Sequence, residues 1–498
     1  MKHTILSTRS SLPLVLFLLT VRAAVAQGVT APEPNAWGPG SVQVALSAAG
    51  DDQWNKDIGP FNADGPVYAT AVAPNGDLYV GGEFSHIGGI SANRIARWDG
   101  SSWMPLGTGI PAGTVYAIAF SGGDVIVGGH FRGAGDVKAT NIARFSGNMW
   151  LAFGDITKEG LDSTVLAIAV KGNDIYVGGN FTYAGNQDVL NYIAVWDIAD
   201  TVFVPLDDGT RRGMDGGITT MAFVDDDLYV GGAFTKAGGT NASRIARWNG
   251  TAWSSLTSGV GAQGSAPFVT ALAVRDTAIF VAGTFAFAGG KPMKNIAQWS
   301  TRSNAWYTVG GAGFDSGSIR VAVSPAGTLF VSGLFQNVGS IPVVRIAQWN
   351  PATGWAPLGS GLDGPALALA ATDEHLWVGG AFANAGGKAS PNLARWTYQP
   401  SSGIREHLGP ERVLPAASFR PNPAAGAGRL SVLLPEACAP RITIVNERGE
   451  VVAVRSPGML AAGEQIVPFD LSGLAPGLYF CRVACRAAVV CTCFTVVR

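Results

Sequence analysis

Five charged residues lie close together in one glycine-rich segment, Leu206–Gly217. They are Asp207, Asp208, Arg211, Arg212 and Asp215. Arginine side chains bind carboxylates through two parallel hydrogen bonds, and carboxylates accept hydrogen bonds from hydroxyl groups. The segment is therefore suited to hold a carboxylate, a sugar or a protein loop. The other interpretation is that these residues are turn charges that face solvent.

Two of these carboxylates, Asp207 and Asp215, also allow a catalytic alternative. Glycoside hydrolysis uses a pair of carboxyl groups about 5–10 Å apart, one of which acts as the acid. An extracellular polysaccharide hydrolase or lyase is therefore the alternative to a binding function, since sequence does not fix this distance. The sequence has no G-x-S-x-G, H-E-x-x-H or P-loop pattern that would indicate another catalytic site.

We expect neither a metal nor a cofactor. The five cysteines are all near the C-terminus: Cys438, Cys481, Cys485, Cys491 and Cys493. Zinc sites usually combine two closely spaced cysteine pairs with a longer loop between them, and this spacing differs. Disulfides or buried thiols are the better interpretation, and an odd count leaves one cysteine over.

Other metal-ligating residue types are scattered or repeat-related. The histidines of the repeat region are His86, His130 and His375, which belong to different connections and strands. Aspartate recurs before the second strand of a repeat, at Asp77, Asp124, Asp174 and Asp227. None of these segments has the spacing of a calcium loop, so we interpret these aspartates as turn formers.

A repeated element positions the charged segment. The sequence VGGxF, or a close variant, ends at Phe84, Phe131, Phe181, Phe234, Phe285, Phe335 and Phe382. The spacings of 47 to 53 residues match the length of one four-stranded propeller blade. Each copy predicts an alternating strand a, a strand b with two glycines, and strands c and d that carry aromatic residues. The sequence therefore predicts an all-β fold with a seven-bladed β-propeller over residues 50–398.

The two ends of the repeat region complement each other. The last repeat ends at strand c, which contains Trp396, while a sequence like strand d surrounds Trp54 before the first repeat. We predict that residues 50–58 supply the missing strand of the seventh blade. An N-terminal strand then closes the ring and leaves no free sheet edge between blades.

Loops between strands d and a, such as Leu206–Gly217, lie on the same propeller face as the b–c connections. These loops vary between repeats while the strands do not. Variable loops on a rigid scaffold are the usual place for binding residues. The sequence therefore predicts that this face carries the function.

The repeats resemble those of kelch and galactose-oxidase-like propellers. They are most similar to secreted bacterial propellers that repeat YVGGxFxxAGGxxxxxIARWDGxxWxxLGxG. The resemblance covers about residues 50–398 and implies the fold without an activity, because propellers have many unrelated functions. The copper chemistry of galactose oxidase needs a Cys–Tyr cofactor, and the repeat region has no cysteine.

The N-terminus predicts an exported protein. Lys2 and Arg9 precede an apolar run, Leu12–Val21, and small residues follow it before Gln27. This is the pattern of a signal peptide over residues 1–26. The run is shorter than the roughly 20 residues of a membrane span. We expect a mature chain without a membrane span, which starts with an N-terminal segment over residues 27–49.

The repeat stops after Tyr398. Residues 399–417 predict a linker, and the alternating strands of residues 418–498 predict a small C-terminal β-sandwich. This domain resembles the sorting domains of type IX secretion in Bacteroidetes-like bacteria. The matching residues are Pro421, Asn422, Pro423, Gly449, Gly477, Tyr479 and Arg498. The resemblance implies the type IX secretion machinery as a partner, removal of the domain, and release or attachment at the outer-membrane surface.

Composition narrows the function classes. The net charge is −1, and no basic run is longer than Arg211–Arg212, so we expect no nucleic-acid binding. The leading hypothesis is a secreted or cell-surface, non-enzymatic binding propeller with an extracellular protein or glycan ligand. The hydrolase or lyase is the alternative, and a structural component of the cell envelope is the third hypothesis.

Overall fold

The computed structural model describes residues 48–55, 61–154, 160–185, 188–197, 201–209, 212–262, 266–311, 313–398, 416–420, 427–434, 437, 439–446, 451–485 and 488–497. In these residues the protein is all-β and has no α-helix. It divides into two compact units, with the boundary after Tyr398.

The repeats form antiparallel sheets with the strand order a-b-c-d. Strand a spans Val67–Val72, Thr114–Ser121, Val165–Lys171, Ile218–Val224, Phe268–Arg275, Ser318–Val323 and Ala366–Ala371. Strand b spans Leu78–Gly82, Asp124–His130, Asp174–Gly179, Asp227–Gly232, Ala278–Thr284, Leu329–Gly333 and His375–Gly380. Strand c spans Ile95–Trp98, Ile142–Ser146, Ile193–Asp197, Ile245–Trp248, Ile296–Ser300, Ile346–Asn350 and Leu393–Thr397. Strand d spans Trp103–Pro105, Met149–Ala152, Val202–Pro205, Trp253–Ser255, Ala305–Tyr307 and Gly354–Pro357.

Each b–c connection contains a short hairpin that the repeat did not predict. The hairpin strands are His86–Ile87 with Ile90–Ser91, Gly133–Ala134 with Val137–Lys138, Tyr183–Ala184 with Asp188–Val189, Lys236–Ala237 with Thr240–Asn241, Phe287–Ala288 with Lys291–Pro292, Asn337–Val338 with Ile341–Pro342, and Asn384–Ala385 with Lys388–Ala389. Val260–Gly261 adds a third strand beside Phe287–Ala288. The connections are therefore ordered by their own backbone pairing.

Strands a are the innermost elements. Strand a of each sheet contacts strand a of two other sheets, and Val67–Val72 contacts both Thr114–Ser121 and Ala366–Ala371. Hydrophobic cores lie between neighbouring sheets, as where Ile126 and Ile142 of the second sheet pack with Val177 of the third. Four-stranded sheets that pack face to face around their inner strands are the architecture of a β-propeller.

The two glycines of strand b are required at two different contacts. A Cβ atom on Gly231 would lie 2.6 Å from Cγ1 of Val269, which belongs to strand a of the next sheet. A Cβ atom on Gly232 would overlap the carbonyl oxygen of Gly217. The first glycine therefore allows neighbouring sheets to pack closely, and the second allows the chain to enter strand a.

The residue before strand c has a left-handed backbone in every sheet, with φ between 62° and 74°. These residues are Arg94, Asn141, Tyr192, Arg244, Asn295, Arg345 and Asn392. The arginine and asparagine side chains each donate a hydrogen bond to a carbonyl just before strand a of a neighbouring sheet. These bonds connect the face that carries the d–a and b–c connections from one sheet to the next.

Trp54 contacts the three-stranded last sheet. It pairs with Trp396 in an isolated antiparallel bridge, and the ring centroids are 5.0 Å apart. Its indole Nε1 donates a hydrogen bond to the carbonyl oxygen of Leu358 at 3.1 Å. Trp306, a strand d residue, makes the same bond to Leu256 at 3.1 Å. Trp54 therefore occupies the position that strand d tryptophans have in other sheets.

The chain before Trp54 differs from the strand predicted there. Asp51–Gln53 form a single turn of 3-10 helix, and residues 56–60 lie outside the described residues. The Asp51 carboxylate accepts hydrogen bonds from Ala48 N at 2.8 Å and Ser360 N at 2.7 Å. A side chain that binds nearby backbone groups competes with strand pairing, which accounts for the turn.

The second unit contains two sheets. The first has the order Ala416–Arg420, Ala427–Leu434, Gly463–Asp470. The second has the order Val451–Arg455, Arg441–Asn446, Gly477–Cys485, Ala488–Val496. Both contribute to one core, in which Leu430 and Val467 pack with Ile444 and Phe494. The first strand begins at Ala416, inside the segment predicted as a linker.

Candidate functional site

The described residues of the charged segment place Asp207 beside Arg212 at the protein surface. Asp207 and Arg212 pair in an isolated β-bridge, and Arg212 Nε lies 3.3 Å from Asp207 Oδ2. The other oxygen of Asp207 accepts a hydrogen bond from Gly209 N at 2.8 Å. The side chain of Arg212 is 56% exposed and that of Asp207 39%. This pair is therefore open to a ligand, and Arg211 lies outside the described residues.

Asp208 points to the neighbouring b–c connection. Its Oδ2 accepts a hydrogen bond from Gly239 N at 3.3 Å. The same oxygen would overlap a Cβ atom on Gly238, where φ is 55°. Asp208 thus connects the d–a turn to the hairpin of the fourth sheet, so it is separated in role from the Asp207–Arg212 pair.

Asp215 binds backbone and hydroxyl groups of the fourth sheet. Its Oδ1 accepts hydrogen bonds from Thr235 N at 2.7 Å and Lys236 N at 2.8 Å. Its Oδ2 accepts a hydrogen bond from Thr235 Oγ1 at 2.5 Å. Burial alone would raise the pKa of Asp215, but these hydrogen bonds outweigh it and hold the pKa below its usual range. Asp215 is therefore ionised, and three hydrogen bonds hold its carboxylate against the b–c connection.

The same arrangement recurs in five sheets. The aspartate three residues before the start of strand a accepts hydrogen bonds from the b–c connection, and these residues are Asp64, Asp162, Asp215, Asp315 and Asp363. A role that repeats around the scaffold is structural. The recurrence is visible in the sequence, and it separates Asp215 from Asp207, which has no counterpart in the other repeats.

A cavity lies between the fifth and sixth sheets, on the face of the d–a and b–c connections. Its volume is about 630 Å³, within the range of about 300–1,000 Å³ typical of ligand pockets. The lining combines apolar and polar side chains, among them Thr284, Met293, Lys294, Asn295, Thr308 and Asp315. This cavity is not apparent in the sequence, because its residues belong to short connections without a distinctive motif.

The charges of this cavity are partly neutralised within it. Burial alone would raise the pKa of Asp315, but hydrogen bonds from Asn337 and Gln336 and the charge of Lys294 lower it. The side-chain amide of Asn295 donates hydrogen bonds to the carbonyl oxygens of Phe314 and Ser316, at 3.1 and 2.9 Å. The cavity wall is therefore held in place by its own hydrogen bonds.

The aspartates at the a–b turns also form ion pairs, which the sequence analysis did not predict. Asp77 Oδ2 lies 2.7 Å from Arg97, Asp227 Oδ2 lies 2.7 Å from Arg247, and Asp124 Oδ2 lies 3.6 Å from Arg144. These ion pairs connect strand b to strand c. Asp174 stands at the corresponding place, where strand c has Val195.

The histidines lie apart, as their sequence positions predict. His86 is in a b–c hairpin, where its Nδ1 is 3.1 Å from Asp64 Oδ2. His130 ends one strand b, and His375 begins another instead of lying in a turn. Within the described residues, no three histidine, cysteine, aspartate or glutamate side chains are grouped as metal ligands.

Of the residues matching the sorting-domain pattern, Gly477 and Tyr479 are described, whereas Pro421, Asn422, Pro423, Gly449 and Arg498 lie outside the described residues. The Tyr479 hydroxyl donates a hydrogen bond to the Ala475 carbonyl at 2.7 Å, and its ring stacks on Phe494 with centroids 5.7 Å apart. Cys481 is buried in the same core. These residues stabilise the sheet that contains Gly477–Cys485.

One family model matches the chain. It is a domain of unknown function (DUF5122) described as a beta-propeller, and it matches residues 73–98. The match covers part of the first repeat, so it supports the β-propeller and does not assign the whole chain to that family. No curated protein matches the sequence.

The solved structures that match this chain include three at low identity. PorZ, a bacterial surface component of the type-IX secretion system of Porphyromonas gingivalis, is 14% identical, with 88% of this chain and 60% of PorZ covered and a TM-score of 0.44. YCF48 bound to D1 peptide is 14% identical, with 59% of this chain and 94% of YCF48 covered and a TM-score of 0.33. A protein of unknown function from Bacteroides thetaiotaomicron is 10% identical, with 68% of this chain and 100% of that protein covered and a TM-score of 0.22.

The chain spans less than two thirds of the length of PorZ. All three TM-scores are below 0.5, so these similarities carry no conclusion about what this chain binds or does. The β-propeller itself is supported by the sheets of the structure and by the family match.

Proposed function

We propose that residues 50–398 form a closed seven-bladed propeller, which is completed by the N-terminal segment around Trp54. Three observations support closure. Trp54 pairs with Trp396, strand a of the first sheet contacts strand a of the last, and Asn392 donates a hydrogen bond to the Ala63 carbonyl. Residues 399–415 then act as a linker, and the β-sandwich begins with the strand at Ala416 and spans residues 416–498.

We propose that the propeller is a non-enzymatic binding module for an extracellular protein or glycan. The ligand binds the face of the d–a and b–c connections. The observation that carries this proposal concerns Asp215. Its carboxylate accepts three hydrogen bonds, and its pKa is lowered. A general acid at neutral pH requires a raised pKa, so Asp215 is unsuited to the general-acid role in a hydrolase or lyase mechanism.

Two places on this face are suited to a ligand. The exposed Asp207–Arg212 pair offers donors and acceptors for hydroxyl and carboxylate groups. The cavity of about 630 Å³ beside Lys294 offers a concave surface. A ligand that binds Arg212 replaces the exposed ion pair between Arg212 and Asp207. Such a pair stabilises a protein by only about 0–1 kcal/mol, so its loss on binding costs little stability.

The proposed location is the cell surface or the exterior. Its support is the sequence: the signal peptide pattern of residues 1–26 and the sorting-domain resemblance of residues 418–498. Within the described residues, no helix is both long enough and apolar enough to cross a bilayer. The type IX secretion machinery is the proposed partner of the C-terminal domain.

The binding proposal is tested by screening the purified protein on a glycan array and against polysaccharide substrates. We expect binding without turnover, weakened at least about tenfold by Arg212→Ala, since a charge-assisted hydrogen bond is lost. Arg302→Ala, an exposed arginine in a c–d turn, is the matched control. Polysaccharide turnover that disappears in Asp207→Asn or Asp215→Asn would overturn the proposal and indicate an enzyme.

The export proposal needs a separate test in a bacterium that has type IX secretion. Removal of residues 418–498 should leave the propeller in the periplasm, while the full chain reaches the medium or the cell surface. Equal export of both forms would contradict the role assigned to the C-terminal domain.

A further inference from the structure

Every pairing of strands a and b has a register shift at the same place. The shifts fall at residues 67–69, 115–117, 165–167, 218–220, 269–271, 318–320 and 366–368. The residue inside such a bulge leaves the hydrogen-bonded ladder and its side chain is redirected. Bulges that recur in every sheet indicate that the innermost strand edge is built to present side chains.

These side chains line a central cavity of about 190 Å³. Four of the bulged residues, Tyr68, Tyr116, Leu166 and Thr219, are among its lining residues. The remaining lining residues also come from strands a, in six of the seven sheets. The volume is below the range of about 300–1,000 Å³ for drug-sized ligands, so the cavity fits one small group.

The cavity wall is asymmetric. Tyr68 and Tyr116 are in edge-to-face contact with centroids 5.2 Å apart, and Leu166 follows them in the next sheet. Thr219 and Thr220 line the cavity from the fourth sheet. One side therefore offers aromatic and aliphatic surface, whereas the hydroxyl groups on the other side already form hydrogen bonds with backbone groups of the next sheet.

Arg320 also lines the cavity and is its only charged residue among the described lining residues. At the same register position the other sheets have small residues: Ala69, Ala117, Ala167, Thr220, Ala271 and Ala368. The arginine is thus not required by the repeat. Burial lowers the pKa of Arg320 to about 10, so the guanidinium stays positively charged at neutral pH.

Arg320 therefore places a positive charge in the cavity that the repeat itself does not account for, and this charge indicates an anionic ligand.

We propose that the central cavity binds the carboxylate of a small organic anion, which pairs with Arg320 while its apolar part packs against Tyr68, Tyr116 and Leu166. Arginine suits a carboxylate because its planar group donates two parallel hydrogen bonds. This site lies on the innermost strands and is independent of the ligand proposed for the loop face.

The probe is benzoate, which has one carboxylate and one apolar ring, and the measurement is titration calorimetry on the whole protein. We expect saturable binding of benzoate and none of benzamide, its neutral analogue. Arg320→Ala should weaken benzoate binding at least about tenfold, because a charge-assisted pair is lost. Arg302→Ala, whose arginine lies in an exposed turn, should bind as the wild type does.

Folding of the variant is expected, because five other sheets have alanine at this position. Arg320→Lys keeps the charge without the two-point geometry, so its affinity should fall between those of the wild type and Arg320→Ala. Unchanged benzoate affinity in Arg320→Ala, equal affinity for benzamide, or no benzoate binding to the wild type would each overturn the proposal.

Discussion

The side-chain amide of Asn392 donates a hydrogen bond to the backbone carbonyl of Ala63 at 2.9 Å, across 329 positions of the chain. Asn392 has a φ of 64°, and its counterparts before strand c in the other sheets have φ values between 62° and 74°. Asn141 makes the equivalent bond to Leu161 only 20 positions away, at 2.8 Å. The bond of Asn392 therefore joins the two ends of the repeat region in the manner that Asn141 joins neighbouring sheets.

Replacement of Asn392 should destabilise the propeller. In Asn392→Ala the hydrogen bond is lost and alanine must adopt a left-handed backbone, so we expect the free energy of unfolding to fall by about 1–3 kcal/mol. Asn392→Gly loses only the bond and should be less affected, since glycine accepts this backbone. Urea denaturation measures both. Equal stability of all three proteins would contradict the role of this bond.

Trp54 offers a sharper test of ring closure. Its side chain is fully buried, and Trp306, with the same hydrogen bond inside a continuous sheet, is 4% exposed. If the ring is closed, Trp54→Ala and Trp306→Ala should each lower the free energy of unfolding by about 3–5 kcal/mol. Thermal and urea denaturation compare them. A much smaller effect of Trp54→Ala would indicate that the N-terminal segment is dispensable.

Contacts between sheets should depend on matched side-chain size. A Cβ atom on Gly128 would lie 2.5 Å from Cγ1 of Val165 in the next sheet. In the sixth sheet the same position is Ser332, and its hydroxyl donates a hydrogen bond to the carbonyl of Ala366, a smaller residue than Val165. The smallest residue, Gly128, therefore faces the larger Val165, whereas the larger Ser332 faces the smaller Ala366.

Gly128→Ala should therefore lower the free energy of unfolding by about 1–3 kcal/mol through overpacking. Combination with Val165→Ala removes the clashing methyl group, so the double mutant should be more stable than the sum of the single effects predicts. A coupling energy of about 0.5–3 kcal/mol is typical of residues in contact. Additive effects in a double-mutant cycle would contradict the size match.

The propeller could be predicted because its information is local and repeated. Strand order, the glycine pair and the tryptophans recur in each copy, and the contact of Trp54 followed from counting strands. The bulges could not be predicted, since a bulge depends on pairing register rather than on residue type. For the same reason the sequence does not single out Arg320, although it stands where five of the other repeats have alanine.

The candidate site was predicted only in part. Asp207 and Arg212 do lie together, because both belong to one turn. Asp215 was grouped with them by proximity in sequence, yet its partners are Thr235 and Lys236 in the next connection. The signal that distinguishes it is recurrence, since Asp64 and Asp363 precede strand a by the same three residues.

The structural role of Asp215 predicts a pH dependence of stability. Its pKa in the folded protein is below the ordinary value of 3.8, because its hydrogen bonds outweigh the effect of burial. The folded state binds this proton more weakly than the unfolded state does. The stabilisation is therefore complete above the unfolded pKa and is lost as the pH falls through the lower folded pKa.

Asp215→Asn should accordingly be less stable than the wild type at neutral pH, with a difference that shrinks below about pH 4. Asparagine still accepts hydrogen bonds from Thr235 and Lys236 but lacks the charge that strengthens them. Urea denaturation of both proteins over this pH range measures the difference. Asp136→Asn, at an exposed position in a b–c hairpin turn, is the control and should change little at any pH. A difference for Asp215→Asn that stays constant as the pH falls would mean that the ionised carboxylate is not what holds the b–c connection.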